Sequence, residues 1–190
     1  MPGNSTESPV ENWNTALKYI AGRKAAEESL GFLAHVSGTI RDTREIPDVI
    51  PAVAAVCVPF LGSAISLDAP ATQDEPVVQC PAQFAAALEG VRTLAKATTD
   101  NQFVISSHEG LAKRTDPAHL ELLRGWDADS AVAVSLAFRG VPGGHLVLVR
   151  GAAHRRGPIS ASDLALISEV AGGVAAFTAF ATQLTAAGGR

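Results

Sequence analysis

The sequence predicts an α+β domain: a central antiparallel sheet of five or six strands, with terminal helices on one face and the middle segment over the other. Three observations carry that expectation. Ala131–Phe138 alternates strictly, with Val132, Val134, Leu136 and Phe138 on one face and Ala131, Ala133, Ser135 and Ala137 on the other. That is the period of a strand, not of a helix. His145–Arg150 returns as a second strand after the Gly/Pro-rich link Arg139–Gly144, and two runs so joined pair as a hairpin. Ser160 then opens an apolar helix, with Asp163 in the capping-box position.

The chain begins with a helical region. In Ser8-Pro9-Val10-Glu11, Ser8 is placed to accept from the first turn, Glu11 to reach back, and Pro9 stands where no N–H is needed. Trp13, Leu17 and Ile20 recur on one face, Arg23–Glu28 interrupts the stripe, and Leu30, Leu33, Val36 and Ile40 resume it. This reads as one bent helix or two helices meeting near Gly22, ending before Asp42. Residues 1–29 form an N-terminal helical extension and residues 30–186 the domain proper. Asp48–Val58 is a second helix, with Pro51 tolerated in its first turn and Pro59 as its terminator. Leu61–Leu67 is a strand, and Ala71–Pro81 a loop with at most a short strand at Val77–Cys80. Ala82–Ala97 is helical, with Phe84, Leu88 and Val91 on one face. Phe103–Ser106 is a strand and Ser107–Arg114 a loop. Asp116 caps a short helix to Arg124, with Pro117 at its first position.

A chain of 190 residues holds one core of ordinary size. Its net charge of -4 removes the electrostatic footprint of a nucleic-acid binder. Hydrophobic content is 47% against 18% charged, much of it Ala and Val, which points to close helix packing or a buried subunit interface. The polar, acidic start lacks the features of a signal peptide. Pro47, Pro51, Pro59 and Gly62 break the longest apolar candidate for a membrane span. The expectation is a cytoplasmic protein with no membrane or nucleic-acid partner, its two cysteines unpaired.

Two stretches resemble the GAF domains found upstream of serine phosphatases and histidine kinases in bacterial signalling chains. One is Gly31–Leu67, where Val58-Pro59-Phe60-Leu61 matches the junction into the first strand. The other is Asp116–Ile167, with His119–Arg124, Ser130–Leu136, Arg139-Gly140, Gly144–Arg150 and Ser160–Leu166 in the family's order. Ser135, where the family usually has Pro, and Pro142-Gly143 depart from the pattern. The resemblance implies a GAF-like fold and a sensory, dimerising module. No catalytic residue is expected, because no organised nucleophile, metal or phosphate motif stands in the sequence, and no cofactor is expected either. The resemblance also implies a ligand site, when there is one, on the second sheet face. Phe84, Phe103, Ser106, His108, Trp126 and Ser135 are the candidates to border it; Ser106–Gly110 would be the bordering loop. The row Ala131, Ala133, Ser135, Ala137 either admits a close-packed helix or leaves room for a cavity.

Other chemistry is weighed residue by residue. Cys57, in an apolar helix, behaves as a small hydrophobe. Cys80 has no basic sequence neighbour to activate it. A redox enzyme of the free methionine-sulfoxide reductase type is the catalytic alternative, but these cysteines do not follow that family's loop pattern. A ligand-free protein-interaction subunit, serving a signalling partner, is the third reading. Neither cysteine precedes a His, as bilin attachment usually needs, and Asn101-Gln102-Phe103 departs from the cyclic-nucleotide signature. His35, His108, His119, His145 and His154 lack metal-ligand spacing. No G-x-S-x-G elbow is present. Arg139, Arg150, Arg155 and Arg156 read as a solvated loop, with an anion contact as the alternative. From Ala161 to Gly188 only Asp163 and Glu169 are charged. One apolar stripe (Leu164, Ile167, Ala171, Val174) suits the sheet; a second (Leu166, Val170, Phe177, Phe180, Leu184) is free for a partner. A homodimer through the N- and C-terminal helices follows, the Trp13–Ile20 stripe being the companion.

Overall fold

In the computed structural model, residues 9–70, 72–98, 100–107 and 115–188 are described. Helix α1 (Pro9–Asp42) is a single helix of 34 residues, so Gly22 neither ends it nor splits it. The Ser8 cap lies outside the described residues. The first half of α1 stands clear of the domain: Trp13 is 70% exposed, Leu17 56% and Ile20 61%. Packing begins with Phe32 and Val36, both buried. Helix α2 (Ile46–Leu61) carries Pro at its start and Pro51 and Pro59 inside. Pro59 therefore does not terminate it, contrary to the expectation from sequence. A proline so near the end forfeits one N–H bond, and the ladder closes beyond it, the Gly62 N–H donating to Val58 O. Because α2 keeps Leu61, strand β1 starts later, at Ala64–Asp68.

After β2 (Val77–Gln79) and a tight turn at Ala82–Phe84 come α3 (Ala85–Ala97), β3 (Gln102–Ser106) and α4 (Pro117–Gly125). Asp116 caps α4 through its carboxylate, which accepts from the Ala118 N–H at 2.8 Å. Strands β4 (Ser130–Phe138) and β5 (Val141–Arg150) and helix α5 (Ala161–Gly188) complete the chain. The five strands pair antiparallel in the order β2-β1-β5-β4-β3. The link from β4 to β5 is shorter than its Gly/Pro content suggests. Phe138 already pairs with Val141, so only Arg139 and Gly140 turn, both at positive φ, 50° and 80°. That is the twist-matched hairpin geometry, which Gly satisfies without strain.

The alternation of β4 sorts the two layers. Val132, Val134 and Leu136 join Ile65, Leu67, Leu146 and Leu148 in one core with α1, α2 and α5. Ala131 and Ala133 face the other way, with Ala64, Val147, Val149 and Ile105, beneath Ala87, Leu88, Val91 and Ala95 of α3. The terminal helices share one face and the middle helices cover the other. Small residues on the second face let α3 sit close. Trp126, at the end of α4, packs against Gly90 of α3; a Cβ there would fall 2.3 Å from the ring.

Helix α5 starts with the capping box: the Asp163 N–H donates to Ser160 Oγ at 3.2 Å and the Ser160 N–H to Asp163 Oδ2 at 3.0 Å. Leu164, Ile167, Ala171 and Val174 are buried. Leu166 and Val170 of the second stripe are buried too, whereas Phe180 is 58% and Leu184 47% exposed. Part of that stripe is thus consumed within the chain. Helix α5, unlike the proline-broken run before it, is long and apolar enough, by length and composition, to cross a membrane. Its burial against the sheet explains much of that apolarity.

Candidate functional site

On the second sheet face, β1 presents Ala64, Ser66 and Asp68 while Ile65 and Leu67 point into the other core. Ser66 pairs with Val147 and Asp68 with His145 across the ladder. Arg92 and Lys96, one helical turn apart on α3, come down over the same end of the sheet. Together Ser66, Asp68, Arg92, Lys96, His145 and Val147 enclose a void of about 10 Å³, room for roughly one water molecule. Ser66 is 1% exposed, and its hydroxyl has no hydrogen-bond partner among the described residues. Arg92 Nη1 donates to Glu89 at 2.6 Å, which leaves donor capacity on the guanidinium. A buried hydroxyl without a partner among the described residues, beside two cations, an imidazole and the Asp68 carboxylate, is an arrangement that can hydrogen-bond an oxygen-bearing group. It contains no nucleophile held by a base.

Of the six residues anticipated for a pocket, Phe84, Phe103, Trp126 and Ser135 are dispersed along this face, whereas Ser106 alternates with Ile105 and points to the other one. Phe84, Phe103 and Trp126 pack against the α3 layer. Phe84 covers Gly151, Phe103 meets His119 edge-on at 5.1 Å, and Trp126 covers Gly90. Ser106 is buried, its N–H donating to Thr115 Oγ1 at 3.2 Å. Ser135 lies beside His145 in the β4–β5 ladder, its N–H donating to Asn101 O. His108 lies outside the described residues, as does the rest of its loop through Arg114. The polar cluster around Ser66 was missed in the sequence. Its signals were the polar positions of Ala64-x-Ser66-x-Asp68 and the spacing of Arg92 and Lys96.

A second polar cluster stands at the opposite end of the sheet. Arg150 is fully buried. It donates to Leu61 O at 2.6 Å and to Asp163 Oδ2 at 2.8 Å, with longer bonds to Gly157 O and Pro158 O. Arg156 grips the other carboxylate oxygen at 2.7 Å. Burial alone would raise the Asp163 carboxyl, but the bonds from Arg150, Ser160 and Arg156 hold it well below the usual carboxylate range. Burial, with the charge of Arg150 next, pushes His154 down to about 4. Arg150 is therefore a packing cation, which corrects its reading as part of a solvated loop. An open cleft of about 550 Å³ lies alongside, lined by Pro59, Ser63, Phe84, Gly151, His154 and Arg155 among others. Neither thiol is activated: burial pushes Cys57 up to about 12 and raises Cys80. Among the described residues, no group of three or more His, Cys, Asp or Glu could hold a metal ion.

The sequence matches no protein-family model and no curated protein. The architecture, however, is similar to solved structures. The GAF domain of a phosphoenolpyruvate-protein phosphotransferase from Coxiella burnetii aligns at 14% identity with a TM-score of 0.52, over 85% of this chain and 98% of that domain. This chain has the GAF fold, in agreement with the motifs of its closing hairpin and last helix. Two further GAF structures align over similar lengths. One is the phycocyanobilin-bound GAF domain of a cyanobacterial phytochrome, at 13% identity and a TM-score of 0.47, over 82% of this chain and 94% of that one. The other is a GAF domain/HD domain protein from Geobacter sulfurreducens, at 14% and 0.44, over 72% and 93%.

Proposed function

We propose that this protein is a regulatory GAF module that acts by binding rather than catalysis: it takes up a small anionic molecule beneath α3 and works as a homodimer. The observation that supports this reading is the buried hydroxyl of Ser66, without a partner among the described residues, amid Arg92, Lys96, His145 and Asp68, with the cations outnumbering the carboxylate. A buried polar atom left unpaired costs about 1–3 kcal/mol, a penalty that a bound oxygen-rich group would remove. The void is too small for such a ligand while α3 is seated, so uptake requires α3 to lift. That movement is the signal a partner reads.

A thermal-shift screen of the full chain against small carboxylates, nucleotides and inorganic phosphate tests the reading. A stabilising compound whose effect disappears with Arg92→Ala and Lys96→Ala supports it. No shift with any anion, or a shift indifferent to both substitutions, counts against it. The reductase alternative predicts methionine-sulfoxide turnover lost with Cys80→Ser; both thiols being raised argues against that chemistry.

A further inference from the structure

We infer that two copies pair antiparallel, the exposed first half of α1 from each lying on the uncovered last turns of α5 of the other. This rests on the homodimer reading above and specifies its geometry. Helices α1 and α5 run side by side in the same direction. Phe32 of α1 stacks on Phe60 at 4.3 Å, and the same Phe60 ring carries Arg156, just ahead of α5, at 4.6 Å. Further along both helices, Ile40 meets Gly173, where a Cβ would lie 3.4 Å from it. Of the second stripe of α5, Leu166 and Val170 are buried and Phe177 packs half-buried against the core, while α1 ends at Asp42. The stripe continues without cover through Phe180 and Leu184.

The matching surface lies at the other end of the same molecule. Trp13, Leu17 and Ile20 precede the first contact of α1 with the domain and are all more than half exposed. At 1.5 Å per residue, each stripe lies roughly 25 Å from the level where α1 and α5 first meet, one on either side. A continuous helix cannot bring them together within one chain. A two-fold axis at that level, perpendicular to the helices, superposes each stripe on the other and does so twice, as an isologous interface must.

The outer face of α1 at the proposed axis suits the crossing. At 100° per residue, Gly31, His35 and Gly38 fall within the arc of Trp13, Leu17 and Ile20, with Glu27 and Ala34 at its edge. A Cβ at Gly31 would meet nothing within 4 Å, and one at Gly38 only the ends of Arg41 and Asp42. Lys24 and Asp42 fall on that face too, about five turns apart and on opposite sides of the axis. An antiparallel crossing sets Lys24 of each copy against Asp42 of the other, whereas a parallel crossing stacks like charges. The five exposed apolar side chains supply on the order of 600 Å² per copy before the α1 crossing is counted, against about 800 Å² per partner in a standard interface.

The experiment uses the full chain with Cys80→Ser; Cys57 is buried. Sedimentation equilibrium and mild oxidation are run on the Leu17→Cys/Leu184→Cys double variant and on each single variant. The expected result is a dimer in which the double variant cross-links between copies at least tenfold more efficiently than either single one. Circular dichroism confirms that these exposed positions tolerate the changes. Efficient self-cross-linking of Leu17→Cys alone would mean a parallel pair, overturning this geometry but leaving the homodimer. A monomer of 19.6 kDa at micromolar concentration overturns both.

Discussion

Asp163→Ala removes the anion that holds the start of α5 to the end of β5. The carboxylate is 2% exposed and accepts from Arg150, from Arg156 and from the Ser160 N–H. Without it, Arg150 is left fully buried with carbonyl partners but no counter-charge, and its Nη2 already lacks a partner among the described residues. Stranding a buried charge costs about 3–5 kcal/mol, and loss of the capping box is contained in that figure. Urea unfolding should therefore show a midpoint drop equivalent to about 3–5 kcal/mol with an unchanged slope. Arg150→Met combined with Asp163→Ala removes both charges and should recover most of the loss. The pH dependence has a definite sign. Because the folded-state carboxyl is lowered, its contribution is complete above the ordinary carboxylate range and is lost as pH falls below about 4 toward the depressed value. A loss under about 1 kcal/mol for Asp163→Ala, or a double variant no better than the single, would refute the reasoning.

Other consequences can be measured in the same way. Gly90→Ala places a methyl 2.3 Å from the Trp126 ring and should cost about 1–3 kcal/mol, with a red shift of Trp126 emission when Trp13→Phe removes the other tryptophan; unchanged emission would contradict the packing. Ser66→Ala removes a buried hydroxyl that has no partner among the described residues, so stability should hold or rise by about 1 kcal/mol, and a clear loss would reveal a bond that the account lacks. His154, pushed down to about 4, should remain neutral at pH 6 by NMR titration. The stability linked to it is present above about 6.5 and lost as pH falls toward about 4; a titration midpoint near 6.5 would show that the burial argument fails.

What could be read from the chain depended on whether the determinant was local. The alternation of Ala131–Phe138 fixes both faces of β4, because period two admits no other arrangement once one face is buried. The caps at Asp116 and Ser160 were legible because capping is a contact between neighbours in sequence. The end of α2 was misplaced because a proline in the last turn sacrifices one bond, a smaller effect than the burial of Leu61. The Arg139–Gly144 link looked like a long turn because its glycines conceal how early the strands pair. Ser66, Arg92 and His145 come from three separate elements, so only the tertiary arrangement brings them together. Arg150 looked like one of several loop arginines, and nothing local announced that its charge would be buried against Asp163.

The binding role of the sheet face beneath α3 is tested most directly by native mass spectrometry of the purified full chain. The account predicts a non-covalent adduct of one small molecule per copy, absent under denaturing conditions and lost with Arg92→Ala/Lys96→Ala. Spectra showing only the bare chain, with or without those substitutions and after incubation with the anion panel, would contradict it.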